Sequence, residues 1–338
     1  EYTAETTGQF TVIVSAADFN AGEYVLDINR APQIENITSS ATLENKAVES
    51  ETVTVSSLFS DLNLDDTHTA TVDWGDGTPA EPATVDQQRG GGLVTATHEY
   101  AFGGIYTVTV TVTDDGDLSE TATVQAVITG ANIVDGVLQI IGTSDRDVVT
   151  VNSVGKGESR SIRVHAGFLP RFRDFVADDV DSILIVLCDG DDLASIAGNV
   201  DIDATILGGN GDDHITGGSG NDVLVGDLGR DILLGGDGLD VLIGGAGPDR
   251  LNGQGDDDLL SGNIFDANDA DDDDAITDLL NDVAALQEIG EAWRDGDRDT
   301  AVALLTAGQL DDEEEDDLKR SPGNDIYLAI NPDRSPKS

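Results

Sequence analysis

Six aspartates recur every nine residues in the second half of the chain, each at the sixth position of a glycine-rich unit. The first unit, 208–216, reads GGNGDDHIT, and position eight is aliphatic in all six units. Calcium binds six to eight hard oxygen ligands such as carboxylates and carbonyls, whereas magnesium demands stricter octahedral geometry. The spacing therefore predicts calcium sites whose carboxylates come from Asp213, Asp222, Asp231, Asp240, Asp249 and Asp258.

The glycines of each unit predict how the chain turns between these aspartates. Glycine adopts backbone conformations that other residues avoid, so the chain can turn tightly and aim its carbonyls inward. The last three residues of a unit predict a short strand whose position-eight side chain enters a shared core. A flexible Gly/Asp linker is the alternative, and six units in phase argue against it. The candidate carbonyl ligands are those of Gly209, Gly211, Gly218, Gly220, Asp227, Gly229, Gly236, Gly238, Gly245 and Gly247.

These units match the pattern G-G-x-G-x-D-x-U-x and resemble RTX (haemolysin-type) calcium-binding repeats. The resemblance implies a parallel β-roll in which two repeats make one coil, so that repeat n shares an ion with repeat n+2. Degenerate copies at 142–150, 187–195 and 321–328 are expected to cap the stack rather than to form complete sites. The implied pairs are Asp213 with Asp231, Asp222 with Asp240, Asp231 with Asp249, and Asp240 with Asp258, with weaker sites at the ends.

A second pattern lies upstream of the repeats. The run 106–113 alternates strictly, which places Tyr106, Val108, Val110 and Val112 on one face of a predicted strand. Together with the motifs DWGDG at 73–77, HEY at 98–100 and DDG at 114–116, it resembles a PKD domain over 31–129. That resemblance implies an immunoglobulin-like β-sandwich that serves as a spacer or binding module. Trp74 and His98, within these motifs, are predicted to be structural.

The predicted fold class is mainly all-β, with an Ig-like PKD β-sandwich, then a parallel β-roll, then a small C-terminal helical cap. We expect closing strands of an incomplete upstream sandwich at 1–30 and the PKD-like unit at 31–129. A degenerate roll entry at 130–207 precedes the calcium-binding roll at 208–262, and the acidic cap with a terminal half-repeat occupies 263–338.

The cap contains an apolar stripe that predicts a helix over 275–293. The even repeats are the second, fourth and sixth of the six units, and positions seven and nine of each unit are predicted to point out of the roll. In the even repeats these outward residues are almost wholly aliphatic, and they include Val223, Val241 and Ile243. Because such a patch is rarely left bare, we expect the helix to cover it. The following segment, 295–299, has partial similarity to an EF-hand loop, but a capped helix–helix turn is favoured because the loop glycine is missing.

The amino-acid composition limits the classes of partner that the chain is expected to bind. The chain has 17 Lys+Arg against 67 Asp+Glu, a formal charge of −50, which excludes nucleic acid and anionic lipid as expected partners. The single cysteine, Cys188, allows no intrachain disulfide. The apolar run beside it is too short to span a membrane. The sequence has no HExxH motif, no GxSxG motif and no Cys/His zinc spacing, so no catalytic activity is expected.

We therefore expect a calcium-binding structural or adhesive segment of a large secreted or cell-surface bacterial protein, which folds on binding calcium. The partner class expected for the PKD-like unit is a cell-surface polymer or protein. The alternative is the C-terminal secretion and folding module of a type I-secreted enzyme whose catalytic domain lies upstream of this chain.

Overall fold

The computed structural model describes residues 2–5, 9–12, 29–262, 264–265, 275–307, 309–310, 317–319 and 324–328. At the N-terminus, β1 (Tyr2–Glu5) pairs antiparallel with β2 (Gln9–Val12). Both strands fall within 1–30, where closing strands are expected, and residues 13–28 of that range lie outside the described residues.

Residues 33–134 form a β-sandwich in which two sheets enclose an apolar core. One sheet has the order β3-β5-β9-β8, and the other contains β4, β6, β7, β10 and β11. Val108, Val110 and Val112 are fully buried, which confirms the predicted inward face. The strands are β3 (Gln33–Ser39), β4 (Ala47–Val48), β5 (Thr52–Ser60), β6 (His68–Asp73), β7 (Glu81–Pro82), β8 (Thr84–Gln88), β9 (Gly91–Glu99), β10 (Gly104–Asp114) and β11 (Ser119–Val134).

Trp74 and His98 lie in the sandwich as the sequence predicts. Trp74 is 1% exposed and stacks on the His98 ring with the ring centroids 4.9 Å apart. His98 Nε2 lies 2.8 Å from an Asp76 carboxylate oxygen. Both rings therefore have structural contacts, and Trp74 has no open face for a ligand.

Two parallel sheets form the roll. From β18 to β24, strands of one sheet alternate along the chain with strands of the other, and neighbours within a sheet are offset by eighteen residues, as Val223 opposite Val241 and Val241 opposite Leu259 show. Two repeats therefore make one coil. In the roll entry, β14 and β15 add to β13 as antiparallel strands. The strands are β12 (Val137–Ile141), β13 (Val148–Val154), β14 (Ser161–Ala166), β15 (Arg173–Val176), β16 (Ser182–Val186), β17 (Leu193–Ile196), β18 (Ala204–Asn210), β19 (His214–Thr216), β20 (Val223–Leu228), β21 (Ile232–Gly236), β22 (Val241–Ala246), β23 (Arg250–Gln254) and β24 (Leu259–Ser261).

The roll's core is the position-eight column. All six predicted side chains are 0% exposed and pack in one cluster, because each strand turns that position toward the opposite sheet. Each repeat buries only a small apolar area, so the stack is stable only as a whole. The six are Ile215, Leu224, Leu233, Leu242, Leu251 and Leu260.

β11 joins the sandwich to the roll without a break. Its first part pairs with β10 and its last five residues pair with β12, the first strand of the roll. Across this junction Ile105 and Val127 pack with Ile141 and Leu184. One strand thus crosses residues 129 and 130, between which the sequence interpretation sets a boundary.

The C-terminal elements continue and cover the roll. They are β25 (Ile264–Phe265), α1 (Ala275–Arg294), α2 (Arg298–Ala307), β26 (Gln309–Leu310), β27 (Asp317–Lys319) and β28 (Ile326–Leu328). β27 extends the odd-repeat sheet beyond β23, and β28 extends the even-repeat sheet beyond β24. No helix within these described stretches is long and apolar enough to cross a membrane.

The predicted cover of the even repeats is confirmed for the side chains that the structure describes. Leu286 and Trp293 of α1 are 1% exposed and pack in one cluster with Val223, Val241 and Ile243. The stripe residues predicted before 283 lie outside the described side chains. The favoured capped turn before α2 is also confirmed. The Asp297 carboxylate precedes the helix and accepts hydrogen bonds from the backbone N–H and the hydroxyl of Thr300 in its first turn.

Candidate metal centre

The six repeat aspartates form two columns, one along each side of the roll. All six are 0–2% exposed. The odd-repeat column contains Asp213, Asp231 and Asp249, and the even-repeat column contains Asp222, Asp240 and Asp258. The structure thus brings together the four pairs that the resemblance implies.

Each column is held by hydrogen bonds that repeat every eighteen residues. The backbone N–H of Asp213 donates to Oδ1 of Asp231 at 2.8 Å, and the N–H of Asp231 donates to Oδ1 of Asp249 at 2.8 Å. In the other column, the N–H of Asp222 donates to Oδ1 of Asp240 at 2.9 Å. These bonds fix one oxygen of each acceptor carboxylate and leave the other to be satisfied elsewhere.

The second oxygens have no donor over most of the columns. Oδ2 of Asp213, Asp231, Asp240 and Asp258 is buried and accepts no hydrogen bond from the residues described. Asp222 is different, because its Oδ2 accepts the Gly218 N–H at 2.7 Å. A buried carboxylate oxygen without a donor is costly, so these atoms are suited to a cation.

The electrostatics of the columns point the same way. Burial, and then the neighbouring Asp222 and Asp258 carboxylates, raise the pKa of Asp240 to about 9. Burial raises the pKa of Asp213 to about 8, with the Asp231 charge adding to the effect, while the backbone hydrogen bond from Asp192 opposes it. The pKa of Asp231 is raised by burial to about 6. Without a cation these carboxyls retain protons at pH values where an exposed aspartate is ionised.

The first glycine of each repeat leaves the space that the Asp carboxylate occupies. A Cβ on Gly235 would overlap Oδ2 of Asp240 and lie 2.6 Å from the carbonyl oxygen of Gly253. A Cβ on Gly208 would likewise overlap Oδ2 of Asp213 and lie 2.7 Å from the Gly226 carbonyl oxygen. The carbonyl oxygens at position one of the next coil therefore lie beside the carboxylate oxygens that lack a donor. These carbonyls are not among the ligands predicted from the sequence.

The predicted carbonyls at positions two and four are placed differently. Those of Gly211, Gly218 and Gly220 lie directly against the glycine at the same position of the next coil. The Gly218 carbonyl also accepts the Asp237 N–H at 3.3 Å. These groups lie along the stack, and their role as calcium ligands stays a prediction.

Both columns extend beyond the six regular repeats. Asp192 donates its N–H to Oδ1 of Asp213 at 2.8 Å, and Asp147 donates to Oδ1 of Asp192 at 2.6 Å. At the other end, the Asp258 N–H donates to Oδ1 of Asp325 at 3.2 Å. Neither Asp213 nor Asp258 is therefore the last carboxylate of its column. The even-repeat column begins at Asp222, because the residue that donates its N–H to Oδ1 of Asp222 is Ala204 and not an aspartate.

Position two of the repeats keeps a positive φ where the residue is not glycine. Cys188 and Asp227 occupy position two, which is usually glycine, at φ of 79° and 80°. Gly236 and Gly245, at the same position, have φ of 127° and 107°. Non-glycine residues rarely adopt positive φ, so the stacked neighbours impose this conformation.

Comparison with known proteins agrees with this geometry. The family model of the RTX calcium-binding nonapeptide repeat matches residues 201–233 and 234–266, and the PKD domain model matches residues 29–129. This chain carries a PKD domain followed by RTX repeats. RTX repeats bind calcium, so Ca²⁺ is the ion that the chain binds.

The PKD domain also has a similar solved structure. It is the PKD domain of an M14-like peptidase from Thermoplasmatales archaeon SCGC AB-540-F20, at 22% sequence identity and a TM-score of 0.26. The similarity covers 30% of this chain and 98% of that one. No curated protein matches the chain significantly. RTX repeats and PKD domains are typical of secreted or surface proteins.

Proposed function

We propose that this chain is a structural or adhesive segment of a secreted or cell-surface protein, that it folds when calcium binds, and that it carries no catalytic site. The observation that carries the proposal is the pair of aspartate columns with their buried Oδ2 atoms. A roll that buries so many carboxylates depends on cations for its stability.

In this proposal each ion lies between successive coils. Carboxylates of repeats n and n+2, such as Asp222 with Asp240, are two of its ligands, and carbonyl oxygens complete the set. The carbonyls at position one, exemplified by Gly253, join those at positions two and four as candidates because they lie beside the carboxylates. Bound calcium supplies the positive charge that keeps the buried carboxylates ionised.

Calcium binding is proposed to be coupled to folding. Without calcium, the folded columns must either align like charges or take up protons, and the glycine-rich repeats have little apolar area with which to offset either cost at neutral pH. The free energy of metal binding then becomes free energy of folding. The roll would stay unfolded at the low calcium concentration of a cytosol and fold outside the cell.

The PKD domain is proposed to act as the spacer or adhesive part of the segment. Its partner would be a cell-surface polymer or protein that contacts exposed apolar residues such as Leu62, since Trp74 is buried. Binding of the calcium-loaded chain to arrays of polysaccharides and surface proteins tests this role. Failure to bind either class leaves the domain as a spacer alone.

Circular dichroism of the full chain tests the coupling of folding to calcium. In EDTA we expect the β signal of the PKD domain alone, and in millimolar calcium we expect a clear gain. Asp240→Asn should require more calcium for the same gain, while Asp237→Asn, which removes an exposed carboxylate from the same repeat, should not. A β signal that is the same in EDTA and calcium would refute the proposal.

A further inference from the structure

Three carboxylates converge at one end of the PKD sandwich, far along the chain from the repeats. Asp61 follows the last residue of β5, Asp66 lies in the turn before β6, and Asp114 is the last residue of β10. One oxygen from each residue lies within 4.8 Å of the other two. β5 belongs to one sheet of the sandwich and β10 to the other, so the cluster spans both sheets.

The hydrogen bonds of Asp114 leave one buried oxygen unsatisfied. The residue is 4% exposed, and its Oδ1 accepts the N–H groups of Gly116 at 2.8 Å and Leu118 at 2.9 Å. Its Oδ2 is buried and accepts no hydrogen bond from any described residue. Oδ2 of Asp66 is also buried and accepts no hydrogen bond from any described residue. Two buried acceptors in one cluster therefore lack a donor.

The charge of the cluster is also poorly balanced. Asp61 is 5% exposed; its Oδ1 accepts the Asn63 N–H at 2.7 Å and its Oδ2 lies 2.9 Å from His68 Nε2. No lysine or arginine among the described residues forms an ion pair with Asp61, Asp66 or Asp114. Since Asp61 and Asp114 are almost wholly buried, water cannot solvate them as it solvates surface carboxylates.

We infer that this cluster is a second type of calcium site, built by the PKD domain independently of the RTX repeats. Calcium–oxygen distances of 2.3–2.6 Å allow two ligand oxygens to lie up to about 5 Å apart, which accommodates three oxygens within 4.8 Å of one another. Calcium is favoured over magnesium because magnesium demands near-ideal octahedral geometry, whereas calcium accepts irregular sets of carboxylate ligands. An ion here links the end of β5 to the end of β10 and so clamps the two sheets together.

Hydrogen exchange of the full chain, followed by mass spectrometry, separates this site from the roll. With calcium at ten times its dissociation constant, opening of a bound segment falls about tenfold. We therefore expect calcium to slow exchange about tenfold in peptides covering 61–68 and 112–118, in addition to its effect on 208–261. Magnesium at the same concentration should not reproduce the protection at 61–68.

Asp114→Asn is the decisive variant, because the amide keeps the oxygen that accepts the two backbone N–H groups while it removes the charge. It should lose the calcium-dependent protection of 61–68 and one bound calcium per chain by native mass spectrometry, yet keep the protection of 208–261. Asp66→Asn, at a less buried position, should do the same. Asp117→Asn is the matched control, since that exposed residue follows three positions later and should change neither readout.

The inference is overturned by either of two results. One is a wild-type chain whose peptides 61–68 and 112–118 exchange equally fast with and without calcium. The other is an Asp114→Asn chain that retains the full calcium stoichiometry and local protection. Equal protection by magnesium would overturn the assignment of calcium. Failure of the roll to respond to calcium would count against the proposed function alone.

Discussion

Removal of calcium should give the roll an unusual dependence on pH. The pKa values of Asp213 and Asp240 are raised to about 8 and about 9, chiefly by burial, against about 3.9 in an unfolded chain. Between these values the folded roll binds more protons than the unfolded chain, so the free energy of unfolding falls as pH rises. The stability is fully present below about pH 4 and is lost progressively up to about pH 8 for Asp213 and pH 9 for Asp240.

The size of the effect follows from the same shifts. One pH unit changes the free energy of unfolding by about 1.4 kcal/mol for each proton that only the folded state retains. From about pH 4 to pH 7, Asp213 and Asp240 each lower it by about 4 kcal/mol. Because a typical domain is stable by only about 5–15 kcal/mol, two such groups are enough to unfold the metal-free roll at neutral pH.

Calcium should reverse the sign of this dependence. Metal binding requires deprotonated carboxylates, so in calcium the carboxyls of the folded roll titrate below their unfolded values. Stability in saturating calcium should then be present near neutral pH and be lost as pH falls. Opposite slopes in the two conditions are the signature of shared metal and proton sites.

Urea unfolding, followed by circular dichroism at several pH values between about 4.5 and 8, measures both slopes. Hydrogen exchange of 208–261 assigns the change to the roll rather than to the PKD domain. Asp240→Asn should flatten the slope of the metal-free chain, because an amide does not titrate, whereas Asp237→Asn should leave it unchanged. A metal-free roll that is as stable at pH 8 as at pH 4.5 would refute the reasoning.

Two further predictions concern single side chains. Asp240→Asn should weaken calcium binding by the roll more than Asp222→Asn, because Asp222 ends its column and already accepts the Gly218 N–H; equal losses in calorimetric titration would contradict shared sites. Trp293→Ala should lower the free energy of unfolding in calcium by about 3–5 kcal/mol and promote self-association, since it removes a buried side chain that covers the even repeats and donates to the Asp257 carbonyl at 3.0 Å. Sedimentation of the calcium-loaded variant checks this, and a monomer of unchanged stability would show that α1 is not a necessary cover.

The repeat sequence predicts the roll well because the nine-residue period of the sequence is also the length of the repeating structural unit. A fixed spacing of nine with an aliphatic at position eight can bury its side chains only if every unit turns in the same way, and Leu233 and Leu242 lie where this requires. The n/n+2 pairing came from the family resemblance, and Asp231 and Asp249 are linked as that pairing requires. Strict alternation in β10 likewise fixed which residues face the sandwich core.

The degenerate copies are predicted from the sequence as caps of the stack, but the sequence does not show that they continue the aspartate columns. Asp192 and Asp325 continue the two columns although they lie 21 and 67 residues from their partners, because the segments that separate them are longer than two regular repeats. The position-one carbonyls were missed because the glycine pattern does not show which backbone oxygens lie beside the carboxylates. The cluster at Asp61, Asp66 and Asp114 depends on the folding of two sheets and is hidden among the 67 acidic residues of the chain.

The junction suggests why a PKD domain directly precedes this roll. A stack of repeats has an open edge at each end, and the first coil gains contacts from only one neighbour. Here β11 supplies backbone partners to β12, and Arg173 of the roll entry reaches back to Glu49 and donates to the Ala131 carbonyl at 2.6 Å. The PKD domain therefore supplies the first coil with backbone partners in the place of a preceding repeat, although β11 and β12 pair antiparallel. Since β28 pairs with β24 and α1 packs on the even repeats at the other end, the interior coils are the ones that we propose calcium stabilises.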